Sequence, residues 1–137
     1  MTEPNWLPLE EVLEINHEAV AETRESHFLR DQGLLEGALA RPKNHYHYNG
    51  VDDMVILAVV LLSGIAQNHP FEQGNKRTAF TAAVMFLLAN GYDLVAIDSE
   101  QFGELITRFV AGAIGEESFI ELMRAFIAPI CGASIEL

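Results

Sequence analysis

Residues 68 to 81 read N-H-P-F-E-Q-G-N-K-R-T-A-F-T and lie between two apolar runs, Met54 to Gln67 and Ala79 to Ala89. Taking His, Glu, Gln, Asn, Lys and Arg out of water without partners costs free energy, so a polar stretch between buried helices reads as a site rather than a spacer. Pro70 ends the first helix near His69, because the residue before a proline is pushed out of the helical region. Gly74 permits a tight turn and close approach of a ligand. A new helix then begins near Asn75, with its first N–H groups and the positive end of its dipole facing the loop. Lys76 and Arg77 add charge, which makes an anion site suited to phosphate. His69 stands across the turn, where an imidazole can take a proton from an incoming hydroxyl.

The flanking runs set the fold class. Met54, Val55, Ile56, Leu57, Val59, Val60, Leu61, Leu62 and Ile65 are apolar nearly all round a helix, which predicts a central buried element running to Asn68 with Asp52 as its cap. The second helix of the hairpin runs from Asn75 to about Asn90, where Asn90-Gly91 supplies a stop. Upstream, helical spacing of Leu9, Val12, Leu13 and Val20 predicts a helix over 8–24, with His17 beside its stripe. Asp31 caps a helix through Ala40 that Arg41-Pro42 ends. Residues 41–51, R-P-K-N-H-Y-H-Y-N-G-V, form an aromatic, polar stretch with a tight-turn signal at Asn49-Gly50. Downstream, residues 92–97 read as extended, and Asp98 with Gln101 opens a helix carrying Phe102, Leu105, Ile106, Phe109 and Val110. Gly112 and Gly115 break the chain before a last helix with Phe119, Leu122, Met123, Phe126 and Ile127, ending near Pro129. The expectation is an all-α single domain over 1–137 of about six helices, with room for a short hairpin in 41–51.

Bulk properties bound the function. Half of the 137 residues are apolar, enough for a real core. No run reaches the length needed to cross a bilayer. Met1-Thr2-Glu3-Pro4-Asn5 lacks the pattern of a secretory leader, and a single cysteine, Cys131, forms no internal disulfide, so a cytoplasmic setting is expected. Eight basic against 20 acidic residues give a net charge of −12, which argues against direct nucleic-acid binding.

The segment H-P-F-E-Q-G-N-K-R resembles the H-P-F-x-[D/E]-G-N-[G/K]-R signature of the Fic/Doc proteins. Its K-R-T-A continuation, Leu29-Arg30-Asp31-x-Gly33-Leu34-Leu35-Glu36 and Asn90-Gly91-Tyr92 are similar to the Doc branch, the death-on-curing toxins of toxin–antitoxin pairs. The resemblance implies an all-α bundle and an ATP-dependent transferase that stops translation by phosphorylating a Ser or Thr hydroxyl, with elongation factor Tu as the target. It makes His69 the general base and Gly74, Asn75, Lys76 and Arg77 the phosphate cradle. It places at 41–51 a flap that docks the target through His45, Tyr46, His47 and Tyr48; a plain surface loop is the other reading of that stretch.

Two departures bear on the chemistry. Fic adenylyltransferases carry an arginine where Phe80 stands and a glycine where Lys76 stands, and both changes favour the Doc reaction over adenylyl transfer, the alternative enzyme reading. The family's acidic Mg²⁺ position falls on Gln73, whose amide oxygen brings no charge; Glu72 is the neighbouring carboxylate, and loss of the metal would leave a nucleotide- or protein-binding module. His45, His47 and His69 lack the carboxylate spacing of a metal hydrolase. The family's self-inhibitory [S/T]-x-x-x-E-[G/N] motif has no match here, so restraint is expected in trans from a Phd-like antitoxin.

Overall fold

The computed structural model describes residues 3–95 and 99–130. Six helices, α1 (Leu9–Glu22), α2 (Gln32–Asn49), α3 (Met54–Asn68), α4 (Asn75–Ala89), α5 (Ser99–Val110) and α6 (Glu116–Arg124), are joined by two short strands, β1 (Tyr92–Leu94) and β2 (Ile127–Pro129). The all-α expectation is met. No helix among the described residues is long and apolar enough to cross a membrane.

Helix α3 is the axis of the fold. Its residues from Leu57 to Ala66 are all buried, and it packs against α2, α4, α5 and α6. A helix without a polar face can be stable only inside such a ring of neighbours. Its N-cap is Asp53 rather than Asp52: the Asp53 carboxylate accepts from the N–H groups of Val55 (2.9 Å) and Ile56 (3.3 Å). Arg124 at the end of α6 donates to the other oxygen of Asp53 at 2.7 Å, which ties the last helix to the start of the central one.

The expected stop of α2 at Arg41-Pro42 is corrected, because the helix runs on to Asn49 with Pro42 inside it. A proline removes one N–H and crowds the preceding turn. Here its ring is buried, and the neighbouring turn lies against α3 where Gly64 has no side chain. A Cβ at Gly64 would fall 3.1 Å from the Cα of Ala38 and 3.4 Å from its carbonyl oxygen, the one that Pro42 leaves without its helical donor. Burial and close packing offset the local cost. The true stop is Gly50 in the left-handed region (φ 69°), with its N–H on the His45 carbonyl. The stretch 41–49 is therefore helix, not a flap or hairpin.

The sheet forms elsewhere. β1 pairs antiparallel with β2 in the register Tyr92↔Pro129, Asp93↔Ala128 and Leu94↔Ile127. The last helix stops at Arg124, earlier than its apolar spacing predicts, so Ile127 extends into β2, where its backbone pairs with β1. Asp98 of the expected capping box, Ile97 and Cys131 lie outside the described residues. The segment before α1 is pinned as well: Asn5 and Asn90 exchange hydrogen bonds, Asn5 N–H to Asn90 Oδ1 (2.8 Å) and Asn90 Nδ2 to the Asn5 carbonyl (3.0 Å).

Candidate active site

The turn between α3 and α4 is built by local chemistry. His69 caps α3 in the left-handed region (φ 50°, ψ 54°), a conformation that costs a non-glycine residue on the order of 1 kcal/mol or more. Phe71 is 1% exposed and anchors the loop in the core. Asn75 braces the turn from within: its Oδ1 accepts from the Phe71 N–H (3.0 Å) and its Nδ2 donates to the Phe71 carbonyl (2.8 Å). Gly74 follows at φ 74°, and a Cβ there would meet Val20 Cγ1 at 3.0 Å and Asn16 Nδ2 at 3.3 Å. No side chain caps α4, so its first N–H groups face the loop unclaimed by a cap.

Beneath the turn lies a buried polar network from α1. Asn16 is fully buried; its Nδ2 donates to the Gln73 carbonyl (2.9 Å) and to Thr78 Oγ1 (2.9 Å), while His27 Nδ1 donates to its Oδ1 at 2.7 Å. Over the turn lies the segment 27–31. The N–H groups of Arg30 (2.8 Å) and Asp31 (3.1 Å) donate to the Pro70 carbonyl, and the Glu72 N–H donates to the Phe28 carbonyl at 3.0 Å. These bonds frame an antiparallel bridge between Leu29 and Phe71. The Arg30 guanidinium donates to the His69 carbonyl at 2.5 Å, and the Asp31 carboxylate caps α2 through the Leu34 N–H at 3.1 Å.

The result is an open depression of about 270 Å³ lined by His69, Gly74, Asn75, Lys76 and Arg77. It joins, through Lys76 and Arg77, a groove of about 780 Å³ between α1, α4 and α5, whose walls include Glu18, Glu22, Phe80 and Ile106. Phe80 is half-buried and packs against Phe102 with ring centroids 4.7 Å apart. Arg77 is not idle. Its Nη1 donates to the Ala19 carbonyl and to Thr23 Oγ1, both at 3.0 Å, and its Nη2 pairs with Glu25. The Thr23 hydroxyl, and then Arg77, hold the Glu25 carboxyl below its ordinary range.

The five expected cradle and base residues thus surround one depression. Gln73 lies outside its lining: the side chain is exposed, and the backbone carbonyl is taken by Asn16. Among the described residues no three His, Cys, Asp or Glu side chains are gathered to hold a metal. An exposed amide at 73 beside an exposed carboxylate at Glu72 does not build a magnesium site. The expected flap is corrected more thoroughly. His45, Tyr46, His47 and Tyr48 ride on the last turns of α2, roughly 20 Å along the helix from Asp31 at a rise of about 1.5 Å per residue. There Tyr46 and His47 pack on Trp6, and His47 pairs with Glu3 at 3.2 Å. The segment that does lie over the turn is 27–31.

Asn16, His27 and Glu25 carried no functional expectation. Asn16 had a legible signal, since it falls in line with Val12 and Val20 at four-residue spacing on a buried stripe. The others depend on where the chain returns in space.

The Fic/DOC family model matches residues 6–87. The chain is 46% identical over 71 residues to Toxin Doc of Mycolicibacterium smegmatis (strain ATCC 700084 / mc(2)155), a match covering 50% of this chain and 53% of that protein. It is 28% identical over 96 residues to Protein kinase doc of Escherichia phage P1, covering 70% of this chain and 75% of that one. The chain thus spans about half the length of the first relative and about three quarters of the second. With most of the chain matched by the family model and with both relatives being Doc proteins, the chain belongs to the Fic/DOC family, in its Doc branch.

Proposed function

We propose that the protein is a Doc-like toxin whose reaction moves the γ-phosphoryl group of MgATP to a Ser or Thr hydroxyl of a protein target, with elongation factor Tu as that target and a Phd-like antitoxin as its restraint. The observation that carries this reading is the depression that sets His69 opposite the uncapped N-terminus of α4, Lys76 and Arg77. Phosphoryl transfer needs positioning and neutralisation of charge more than covalent help from the protein.

In this reading the phosphates lie on the first N–H groups of α4, with Lys76 beside them. Arg77 exchanges Glu25 for a phosphate oxygen. His69 takes the proton as the target oxygen bonds to the γ-phosphorus; the bond from that phosphorus to the β–γ bridging oxygen breaks, and ADP leaves. Magnesium arrives with the nucleotide as part of the substrate, and no step is assigned to a metal held by the chain. Phe80, packed on Phe102, offers no second cation, which supports terminal phosphoryl transfer over adenylyl transfer.

The target segment docks along 27–31. Leu29's own N–H and C=O take no part in the pairing with the turn, and Phe28 beside it is 54% exposed. An extended peptide can add to such an edge as a strand and lodge a side chain against the exposed ring.

The test is intact-protein mass of elongation factor Tu after incubation with MgATP and the protein or its His69→Ala variant. A gain of about 80 Da, one phosphoryl group, that is lost with His69→Ala is the expected result. A gain of about 329 Da would assign adenylyl transfer instead. An unchanged mass, with MgATP still binding in calorimetry, would remove elongation factor Tu as the target and leave a nucleotide-binding module.

A further inference from the structure

We propose that Arg30 is the residue that positions the His69 imidazole, by holding the only handle on the His69–Pro70 peptide plane. The proposal rests on the base role of His69 given above. A peptide unit is planar, so fixing its N–H or its carbonyl fixes the whole plane. Most units offer both groups. The unit between His69 and Pro70 offers one, because proline has no N–H. Its orientation, and with it the ψ of His69, can be held by hydrogen bonding only at the His69 carbonyl. That carbonyl receives the Arg30 guanidinium at 2.5 Å.

The need for a handle is unusual at this position. His69 sits in the left-handed region at φ 50°, where a side chain other than glycine's is disfavoured. Relaxation to the right-handed or extended region would swing the Cα–Cβ bond and carry the imidazole away from the depression it lines with Gly74, Asn75, Lys76 and Arg77. The neighbouring units are anchored independently. The Pro70 carbonyl accepts from the N–H groups of Arg30 and Asp31, the Phe71 N–H is held by Asn75, and the Asn68 side chain donates to the Leu34 carbonyl at 3.0 Å. The Pro70–Phe71 unit is thus held at both its groups, and the His69–Pro70 unit next to the imidazole is held by a charged side chain. A cation at the C-terminal end of α3 also suits that end of the helix dipole.

Arg30 and Asp31 thus divide one task. Asp31 caps the start of α2, while Arg30 reaches back to the end of α3, so the two adjacent charges lock the segment 27–31 and the turn together. Arg30 is not itself among the residues that line the depression or the groove, and it reaches the depression only through the His69 carbonyl. Its effect should fall on turnover and not on nucleotide affinity.

The experiment compares wild type, Arg30→Ala and Arg30→Lys by two readouts. The first is nuclear magnetic resonance of the His69 Cα and Cβ shifts with the backbone coupling, which together report its φ and ψ without any reaction. The second is steady-state phosphoryl transfer from MgATP. In Arg30→Ala the His69 signals should leave their left-handed values, and kcat should fall roughly 10- to 100-fold, the scale of a misplaced reacting group, with KM for MgATP within about twofold. Arg30→Lys, which keeps a charged donor, should recover part of both. Unmoved His69 signals in Arg30→Ala overturn the proposal, and so does a raised KM with unchanged kcat, which would make Arg30 a substrate ligand. If the wild type transfers no phosphate, the reaction assigned above fails, and the resonance arm alone decides on Arg30.

Discussion

Asn16, fully buried in α1, donates its side-chain amide to the backbone carbonyl of Gln73, 57 residues away, at 2.9 Å. The turn that carries the signature is thereby fixed from a helix outside the hairpin. Replacing Asn16 by Ala would leave the Gln73 carbonyl, Thr78 Oγ1 and His27 facing a gap. Orphaning buried polar groups costs about 1–3 kcal/mol. Urea unfolding of Asn16→Ala should show a loss in that range, and amide exchange should quicken at residues 73–78 more than in α5.

Glu25 pairs with Arg77. If Arg77 binds phosphate, Glu25 competes with it. Glu25→Gln should tighten MgATP binding in calorimetry by roughly two- to fivefold, the scale of an exposed ion pair. The Glu25 carboxyl is held below its ordinary value, first by the Thr23 hydroxyl and then by Arg77, so the ion pair persists through neutral pH and is lost only as pH falls through that lowered value. The gain from Glu25→Gln should accordingly vanish in acid.

Asp53 joins the start of α3 to the end of α6. Burial works against its charge, but the hydrogen bond from Arg124 and the N–H groups of Ile56 and Val55 outweigh it, and the carboxyl is held below its ordinary value of 3.8. A lowered carboxyl stabilises the fold fully above its unfolded value and loses that contribution as pH falls through the folded one. Asp53→Ala should cost about 1 kcal/mol at neutral pH, the scale of a lost helix cap. The difference from wild type should shrink as pH is lowered below 3.8.

Gly64 and Gly37 make opposite predictions from one substitution. A Cβ at Gly64 would press on the Ala38 backbone at 3.1 Å, whereas at Gly37 nothing lies within 4 Å. Gly64→Ala should destabilise by about 1–3 kcal/mol through overpacking. Gly37→Ala, on the exposed side of α2, should stabilise by roughly 0.5–1 kcal/mol through helix propensity. Thermal midpoints moving the same way in both variants would contradict the packing described for α2 on α3.

The sequence by itself determined the parts that depend on neighbours in the chain. The apolar runs on either side of residues 68–81 specify two buried helices, because only a helix of that length can hide so many consecutive apolar side chains. Gly74, Asn75, Lys76 and Arg77 open α4 because a left-handed turn and free N–H groups are local properties, and Asp31 caps α2 for the same reason. Tertiary structure decided what local signals contradict or omit. Pro42 would end a free helix, yet α2 continues because Gly64 lets α3 pack against it. Ile127 has helical spacing but lies in β2, since the backbone of β1 offers unpaired groups there. Arg30, Asn16 and Glu25 acquire roles only when the chain brings them to His69, Gln73 and Arg77. A hydrogen bond between residues dozens apart leaves no periodic trace in sequence, so those contacts become readable only once the packing of α3 has set where each segment returns.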